Sequence, residues 1–464
     1  MQQAPAIASA TELARRVREG EVTAVQLLDQ CLARIEAGNP AINAFTALTR
    51  ERARREAQAI DARRARGETL PPLAGVPYAV KNLFDVQGET TLCGGKVNAG
   101  DPPARQDATV VARLREAGAV LVGMLNMDEH AYGFTTENTH YGATRNPHDG
   151  TRVAGGSSGG SGAAVGAGLV PLALGSDTNG SVRVPASLCG VFGHKPTYGR
   201  LPRGGVYPFV FSLDHVGTLA ASTSDLVLAC QAMQGADGRD PACVDSGGLV
   251  WPTPLPEGLR VGVLGGWFAQ YAGQAAQQAV QAAAQALQAR GTVVFELAEA
   301  ARSAAFVLTG CEGGALHRER LRTRYDEFEP HSRDRLLAGS LLPAAWLVTA
   351  QQVRRRAYEQ ALKLFEQYDL LLAPATPVPA PPIGAPSFTL GGQDLPARAS
   401  LGLLAQPISC VGLPVVSVPM WPEAGQGLPI GVQLIAAPWR DDLCLAASAR
   451  LESLGLAQAR VPGA

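Results

Sequence analysis

Residues 153–176 carry no charged side chain, and near their start stands Gly155-Gly156-Ser157-Ser158-Gly159-Gly160-Ser161-Gly162. By composition such a run reads as a flexible linker. A linker does not normally lead at once into an apolar stretch, here residues 163–174. Nor is it then followed by a second polar, glycine-bearing segment, here Gly175-Ser176-Asp177-Thr178-Asn179-Gly180-Ser181-Val182-Arg183-Val184-Pro185-Ala186. Glycine has no Cβ, so its backbone can approach closely whatever lies against it. The pattern asks for a fold that brings two glycine loops into an ordered interior. It is not a bilayer span. The first uncharged stretch is full of Gly and Ser, and a second one, residues 399–422, is interrupted by Pro407, Pro414, Pro419 and Pro422. A spanning helix needs ~20 mainly apolar residues.

The chain has the material for such an interior. Of its 464 residues, 46% are apolar and 17% charged, which provides for a large core and argues against disorder. At ~150 residues per domain, this length corresponds to about three domains or to one large α/β domain with insertions. The formal charge of −1 excludes a global basic field of the kind that drives binding to nucleic acid or to an anionic membrane. The cysteines at 31, 93, 189, 230, 243, 311, 410 and 444 form no C-x-x-C pair, which argues against a zinc ribbon or a thioredoxin-type site. A long chain without a disulfide framework is expected in the cytoplasm with reduced thiols. Residues 1–10 show neither a basic n-region nor a long apolar h-region, so no signal peptide is expected. The expectation is a soluble protein with no metal, cofactor, nucleic-acid or membrane partner.

Residues 1–70 read as a helical collar. Ser9-Ala10-Thr11-Glu12 and Thr23-Ala24-Val25-Gln26 are capping-box patterns. Ala24, Leu27, Leu28, Cys31, Leu32 and Ile35 share one helical face, Gly38-Asn39-Pro40 ends that helix, and a charged helix over residues 48–66 follows. From about 70 to 250, apolar runs such as 76–80 and 119–125 alternate with helical segments such as 109–117, which points to an α/β sandwich. Residues 258–297 read as a strand (259–264), a helix (274–290) and a strand (293–297). Residues 300–366 read as a helical insertion near the site, with dense charge at 317–335. The Pro-rich segment 374–386 reads as a loop or lid. Residues 399–434 return to strand-like runs and 442–454 to helix. The C-terminal strands are expected to rejoin one sheet, giving a single domain over residues 1–464.

Three segments carry chemistry: the two glycine loops and Val80-Lys81-Asn82-Leu83-Phe84-Asp85, a lysine at the end of an apolar strand. Serine is a poor nucleophile and needs a base. A buried lysine can be that base, because desolvation disfavours the ammonium form. Glycine loops let backbone N–H groups reach a substrate oxygen, and each such donor is commonly worth ~2.7–4 kcal/mol to the transition state.

Together these segments resemble the amidase signature family of serine hydrolases. The likeness runs over roughly residues 6–454. It includes Gly75-Val76-Pro77, Gly193-His194-Lys195-Pro196-Thr197, Gly412-Leu413-Pro414 and Gly431-Val432-Gln433-Leu434, and the spacing from Ser157 to Ser181 fits as well. The resemblance implies an α/β fold with a single large mixed β-sheet flanked by helices, and amide hydrolysis by a Ser–cis-Ser–Lys triad. In that triad Ser181 would be the nucleophile that forms the acyl-enzyme. Ser157, on a cis peptide bond, would bridge Ser181 to a neutral Lys81, and protons would return through Ser157 to the leaving amine. The resemblance also implies oxyanion donors at the N–H groups of Thr178, Asn179, Gly180 and Ser181. It further implies a pairing of Asp177 with Arg183 that holds the loop, and a supporting role for Ser158. One departure is Asn179, where the family usually has Gly. Asn tolerates left-handed backbone better than most residues, so the turn is expected to survive, with the side chain available to substrate.

Longer runs are similar to one subgroup, the 1-carboxybiuret hydrolases of s-triazine (cyanuric acid) degradation. They include Val182 to Gly190, Tyr207-Pro208-Phe209, Ser212-Leu213-Asp214-His215, Leu321-Arg322-Thr323-Arg324, Arg333-Asp334-Arg335-Leu336-Leu337-Ala338-Gly339 and Ala437-Pro438-Trp439-Arg440. Those enzymes deaminate small urea-like acids and pair with a small helical protein similar to the C-type subunit of the tRNA-dependent amidotransferase. The resemblance therefore implies a hetero-oligomer. The planar fork of an arginine matches the carboxylate of a carboxylated biuret. Arg318 and Arg322 share a helix face, as do Arg320 and Arg324, and Arg322 is the candidate; the competing reading is a solvated helix partnered by Glu319, Asp326 and Glu327.

Rival readings exist. Gly155-x-Ser157-x-Gly159 fits a nucleophile elbow, which would make Ser157 the nucleophile of an α/β-hydrolase-type esterase served by one of His194, His215, His317 or His331. An elbow needs a strand directly before it, and Arg145-Asn146-Pro147-His148-Asp149-Gly150 reads as a turn. Gly160-x-Gly162-x-x-x-Gly166 loosely matches a dinucleotide turn but lacks the later acidic residue. The glutaminase (A-type) component of a tRNA-dependent amidotransferase would share the triad. That component resembles Gln where Val184 stands and Gly where Asn179 stands.

Overall fold

The apolar runs of the sequence become strands buried on both faces, the pattern of a sheet covered by helices. The computed structural model describes residues 7–422 and 427–462. Residues 1–6, part of the stretch in which no signal peptide is expected, lie outside the described residues. In chain order the strands are β1 (Phe45–Leu48), β2 (Pro77–Lys81), β3 (Val120–Leu125), β4 (Glu137–Asn138), β5 (Gly142–Ala143), β6 (Leu172–Asp177), β7 (Phe192–Lys195), β8 (His215–Ala220), β9 (Val261–Leu264), β10 (Gly291–Val293), β11 (Leu370–Pro374), β12 (Ser387–Leu390), β13 (Gln393–Pro396), β14 (Val415–Met420) and β15 (Ile430–Ala436).

Eleven of these form one mixed sheet in the order β1-β3-β2-β6-β8-β7-β14-β15-β11-β9-β10. β2 runs parallel to both β3 and β6, and β9 parallel to both β10 and β11. β14 and β15 lie between β7 and β11, so the C-terminal strands rejoin the sheet. A buried polar knot pins the C-terminal helix (Asp441–Ser453) to the turn after β7. Asp441 accepts from Thr197 N at 2.9 Å, Thr197 Oγ1 at 2.7 Å and Arg200 Nε at 2.9 Å.

Both helix caps form, but only the second as the full box that the sequence predicts; at the first, the Glu12 carboxylate pairs with Arg15 instead of returning to the Ser9 backbone. Ser9 Oγ accepts from Glu12 N at 3.2 Å, and Thr23 and Gln26 exchange reciprocal bonds. The collar is not wholly helical, however. Residues 45–48 leave it as β1 and pair antiparallel with β3 at the sheet edge, so the charged helix starts at Arg50, not at residue 48. The preceding helix (Ala24–Ile42) runs past Pro40. Its end is set by Asn43 in the left-handed region (φ 57°) and by Asn39 Oδ1, which accepts from Ala44 N and Phe45 N. The second strand of the 258–297 unit is Gly291–Val293, not 293–297. Val293 pairs with Leu264, the last residue of β9, and beyond it no strand remains to pair with. The span 399–434 holds short helices at Ala397–Ser400 and Gln406–Cys410 before its strands begin. Residues 300–366 are helical as read: Ala298–Arg324, Pro330–Ser340 and Ala344–Gln367. Among the described residues no single helix is long and apolar enough to cross a membrane. The last two helices together meet that length and composition, with a 98° bend between them.

The Gly/Ser run is a packing device. Residues Gly159–Gly166 form a wholly buried helix. A Cβ on Gly160 would press on the backbone of Asn126 and the carbonyl of Ala44, and one on Gly156 would overlap the Asp128 carboxylate. Gly160→Ala should therefore lower stability by about 1–3 kcal/mol, the usual cost of overpacking. Denaturant unfolding checks this; a midpoint equal to that of the wild type would show that the contact is not tight.

Candidate active site

Lys81 is the last residue of β2 and Asp177 the last of β6, and these two strands are parallel neighbours. Ligand sites in such sheets lie beyond the carboxyl ends of the strands. Both glycine loops meet there. The peptide bond joining Gly156 to Ser157 is cis. The N–H of Ser158 donates to the Ser181 carbonyl at 3.2 Å, which stitches one loop to the other.

The Lys81 amine is fully buried. It donates to Ser157 Oγ at 2.7 Å and to Ser176 Oγ at 2.9 Å. Burial pushes its pKa down to about 7, even though Cys93, Asp128, Asp177 and Asp214 pull the other way. At neutral pH a large fraction of Lys81 is therefore uncharged and able to accept a proton. The same interior holds a second glycine-loop hydroxyl, Ser181, buried to 2% exposure. No hydrogen bond joins Ser181 Oγ to Ser157 Oγ; catalytic links of this kind commonly tighten only in the Michaelis complex.

Asp177 and Arg183 form the pair that the resemblance implies, and its geometry is bidentate. Arg183 Nε and Nη2 each lie 3.0 Å from a carboxylate oxygen, and both side chains are wholly buried. Burial raises the Asp177 pKa, but the Arg183 charge and hydrogen bonds outweigh it and hold the carboxyl well below the usual range. Arg183 is also held by Gln433 Oε1 at 2.6 Å and Ala405 O at 3.1 Å. Asp177 in turn accepts from Gly180 N at 2.7 Å and Val182 N at 3.2 Å, which fixes the turn around Ser181. The Gly180 N–H is thus engaged, and the oxyanion donors implied by the resemblance narrow to Thr178, Asn179 and Ser181. Ser158 acts one step further out than expected. Its Oγ donates to Ser176 O at 3.2 Å and accepts from Ser176 N at 3.3 Å, so it positions Ser176.

A small cavity opens on Ser181, walled by Phe134, Thr178, Asn179, Arg335, Arg398 and Gln406. A larger one adjoins it, sharing Ala131, Thr178 and Phe209, and reaches Ser176. Arg322 is in neither. Its side chain is 72% exposed and paired with Glu319 at 2.8 Å. The buried face of its helix runs through Gly313, Gly314, His317 and Leu321, and position 322 points off that face. Two arginines do reach the cavity, Arg335 and Arg398; Arg335 lies on the next helix, on the face shared with Ser332, Leu336 and Gly339. Its guanidinium lies over the Tyr132 ring, 3.6 Å from the centroid. No carboxylate lies within ion-pair distance of it among the described residues, and burial lowers its pKa. Arg398, by contrast, is neutralised by Asp128 and Glu329, each at 3.0 Å.

The elbow alternative does not survive this geometry. Ser157 Oγ is partnered by Lys81, and among the described residues none of His194, His215, His317 and His331 hydrogen-bonds to it and no strand runs directly into Gly155.

Residues 26–445 match the family model described as Amidase. The chain belongs to the amidase family. Its members hydrolyse amide C–N bonds, and this chain is an amidohydrolase. It is 56% identical over 452 residues to AtzE, a 1-carboxybiuret hydrolase component of Pseudomonas sp. (strain ADP), covering 96% of this chain and 98% of that one. It is 40% identical to the A-type component of the glutamyl-tRNA(Gln) amidotransferase of Roseiflexus sp. (strain RS-1), covering 92% of each. A solved structure at 56% identity superposes with a TM-score of 0.95 over 97% of this chain and 99% of that one; it is described as a vestigial protein complex that reveals the origins of an s-triazine catabolic enzyme.

With the amine of Lys81 as base, kcat/KM should rise about tenfold per pH unit on the acid side and flatten above the Lys81 midpoint near 7. Lys81→Ala should lower the rate by several orders of magnitude and erase that limb. A pH–rate profile unchanged by the substitution would contradict the assignment.

Proposed function

We propose that this amidohydrolase removes ammonia from a small anionic ureido acid of the 1-carboxybiuret class. Ser181 attacks the terminal carbonyl while Ser157 passes the proton to Lys81. The tetrahedral oxyanion rests on the N–H groups of Thr178, Asn179 and Ser181. Collapse of this intermediate expels ammonia, which takes its proton back through Ser157, and water then hydrolyses the acyl-Ser181 by the same relay. The observation that carries the substrate class is Arg335, a guanidinium without a carboxylate partner in the cavity that holds Ser181. A substrate carboxylate would supply the missing charge, with two parallel N–H···O bonds. The similarity to a 1-carboxybiuret hydrolase over nearly the whole chain supports the same reading.

The reading extends to a single domain, built on the shared sheet, and to a cytoplasmic location, in keeping with eight free cysteines. It also extends to a small helical partner protein, in keeping with the complex described for the similar structure. Arg335→Ala should lower kcat/KM for carboxylate-bearing amides at least about thirtyfold, the cost of leaving a buried charge unpaired, and affect neutral biuret far less. Steady-state ammonia release, without ATP or tRNA, measures both. Equal losses on neutral and anionic substrates would overturn the carboxylate assignment.

A further inference from the structure

We propose that Asn179 is a specificity-determining residue whose side-chain oxygen accepts a hydrogen bond from the substrate N–H beside the scissile carbonyl. This rests on the ureido-acid reading above and names how the same site tells a ureido group from a simple acid amide.

The backbone does not need asparagine at this position. Asn179 is absent from the left-handed region, and the turn's positive φ falls on Gly180 (125°). The expectation that Asn stands here for its tolerance of left-handed backbone is therefore corrected; the side chain is what remains to explain. Its Nδ2 donates to Thr309 Oγ1 at 2.9 Å, on the helix Ala298–Arg324, which fixes the plane of the amide. Its Oδ1 is buried and has no hydrogen-bond partner among the described residues. The residue is 7% exposed and lines the cavity with Ser181. An unpaired buried amide oxygen is costly, and a ligand that pairs it is rewarded.

The chemistry of that ligand follows. Oδ1 can only accept, so it rejects a carboxylate or a carbonyl and calls for an N–H. Gln406, on the same cavity, has its Oε1 held by Arg302 Nε at 3.0 Å, which turns its NH2 end away from Arg302 as a donor. The cavity thus offers an acceptor (Asn179), a donor (Gln406) and a cation (Arg335). A chain of the form –NH–CO–NH–COO⁻ presents the complementary donor, acceptor and anion.

The test compares two probes by ammonia release. Biuret keeps the N–H and lacks the carboxylate; glutaramate keeps a carboxylate at matched chain length and has a methylene in place of the N–H. Each is measured as kcat/KM, or as competitive inhibition where turnover is too slow. Asn179→Gly and Asn179→Ala, either of which the ordinary φ accepts, should lower the biuret-to-glutaramate ratio about tenfold, roughly the worth of one hydrogen bond, with the acid limb of the pH profile unmoved. An unchanged ratio, with both probes equally impaired or equally intact, would overturn the inference. Arg335→Ala should move the ratio the opposite way. If it does not, the carboxylate reading fails, whatever Asn179 does.

Discussion

A lysine amine kept away from water loses the hydration that favours its ammonium form, and the catalytic end of this sheet is organised around that condition in Lys81. The residue ends a strand flanked by two parallel neighbours, so its side chain emerges into packed protein rather than solvent. Among the described residues only hydroxyls receive its hydrogen bonds, Ser157 at 2.7 Å and Ser176 at 2.9 Å. A carboxylate in either place would restore the charge and remove the proposed base. The nearest acid on the adjoining strand, Asp177, is instead committed to Arg183. The ion pair thus serves two ends: it fixes the turn that carries Ser181, and it keeps a negative charge from pairing with the amine.

That clamp draws on the whole sheet. Arg183 is held from β6, from the Ala405 and Ser409 region, and from Gln433 on β15. Gln433 also donates to Pro374 O, on β11. Strands far apart in sequence therefore converge on one guanidinium. A buried charge of this kind is tolerated only when every donor finds an acceptor. This gives a physical reason for the Gly431-Val432-Gln433-Leu434 run to lie so far from the loops it supports.

Much of this is legible in the residues, and what is not has identifiable causes. The glycine loops and the lysine at the strand end are local patterns, the Asp177–Arg183 pairing comes with the family resemblance they carry, and the structure brings them together. Ser176 gives no signal of its own, because its role depends on the register of β2 against β6, which no local motif encodes. Arg335 is hard to tell from Arg322 because both lie in a charged stretch. Only the helical phase separates them, one beside buried Ser332 and Leu336, the other turned to solvent. β1 is hidden in the collar because four residues between two helices carry little periodic signal, and its pairing with β3 is a tertiary choice. Asn179 stands out in the sequence, but its side chain, not its backbone, accounts for it.

The central claim is the charge state of one amine. The chain has four lysines, at 81, 96, 195 and 363, so ¹⁵N-lysine labelling with assignment by Lys81→Arg makes the Lys81 Nζ resonance accessible. The account predicts that this nitrogen titrates with a midpoint near 7 and is neutral above it. A Lys81 resonance that stays in the ammonium form up to the ordinary lysine range of about 10 would contradict it.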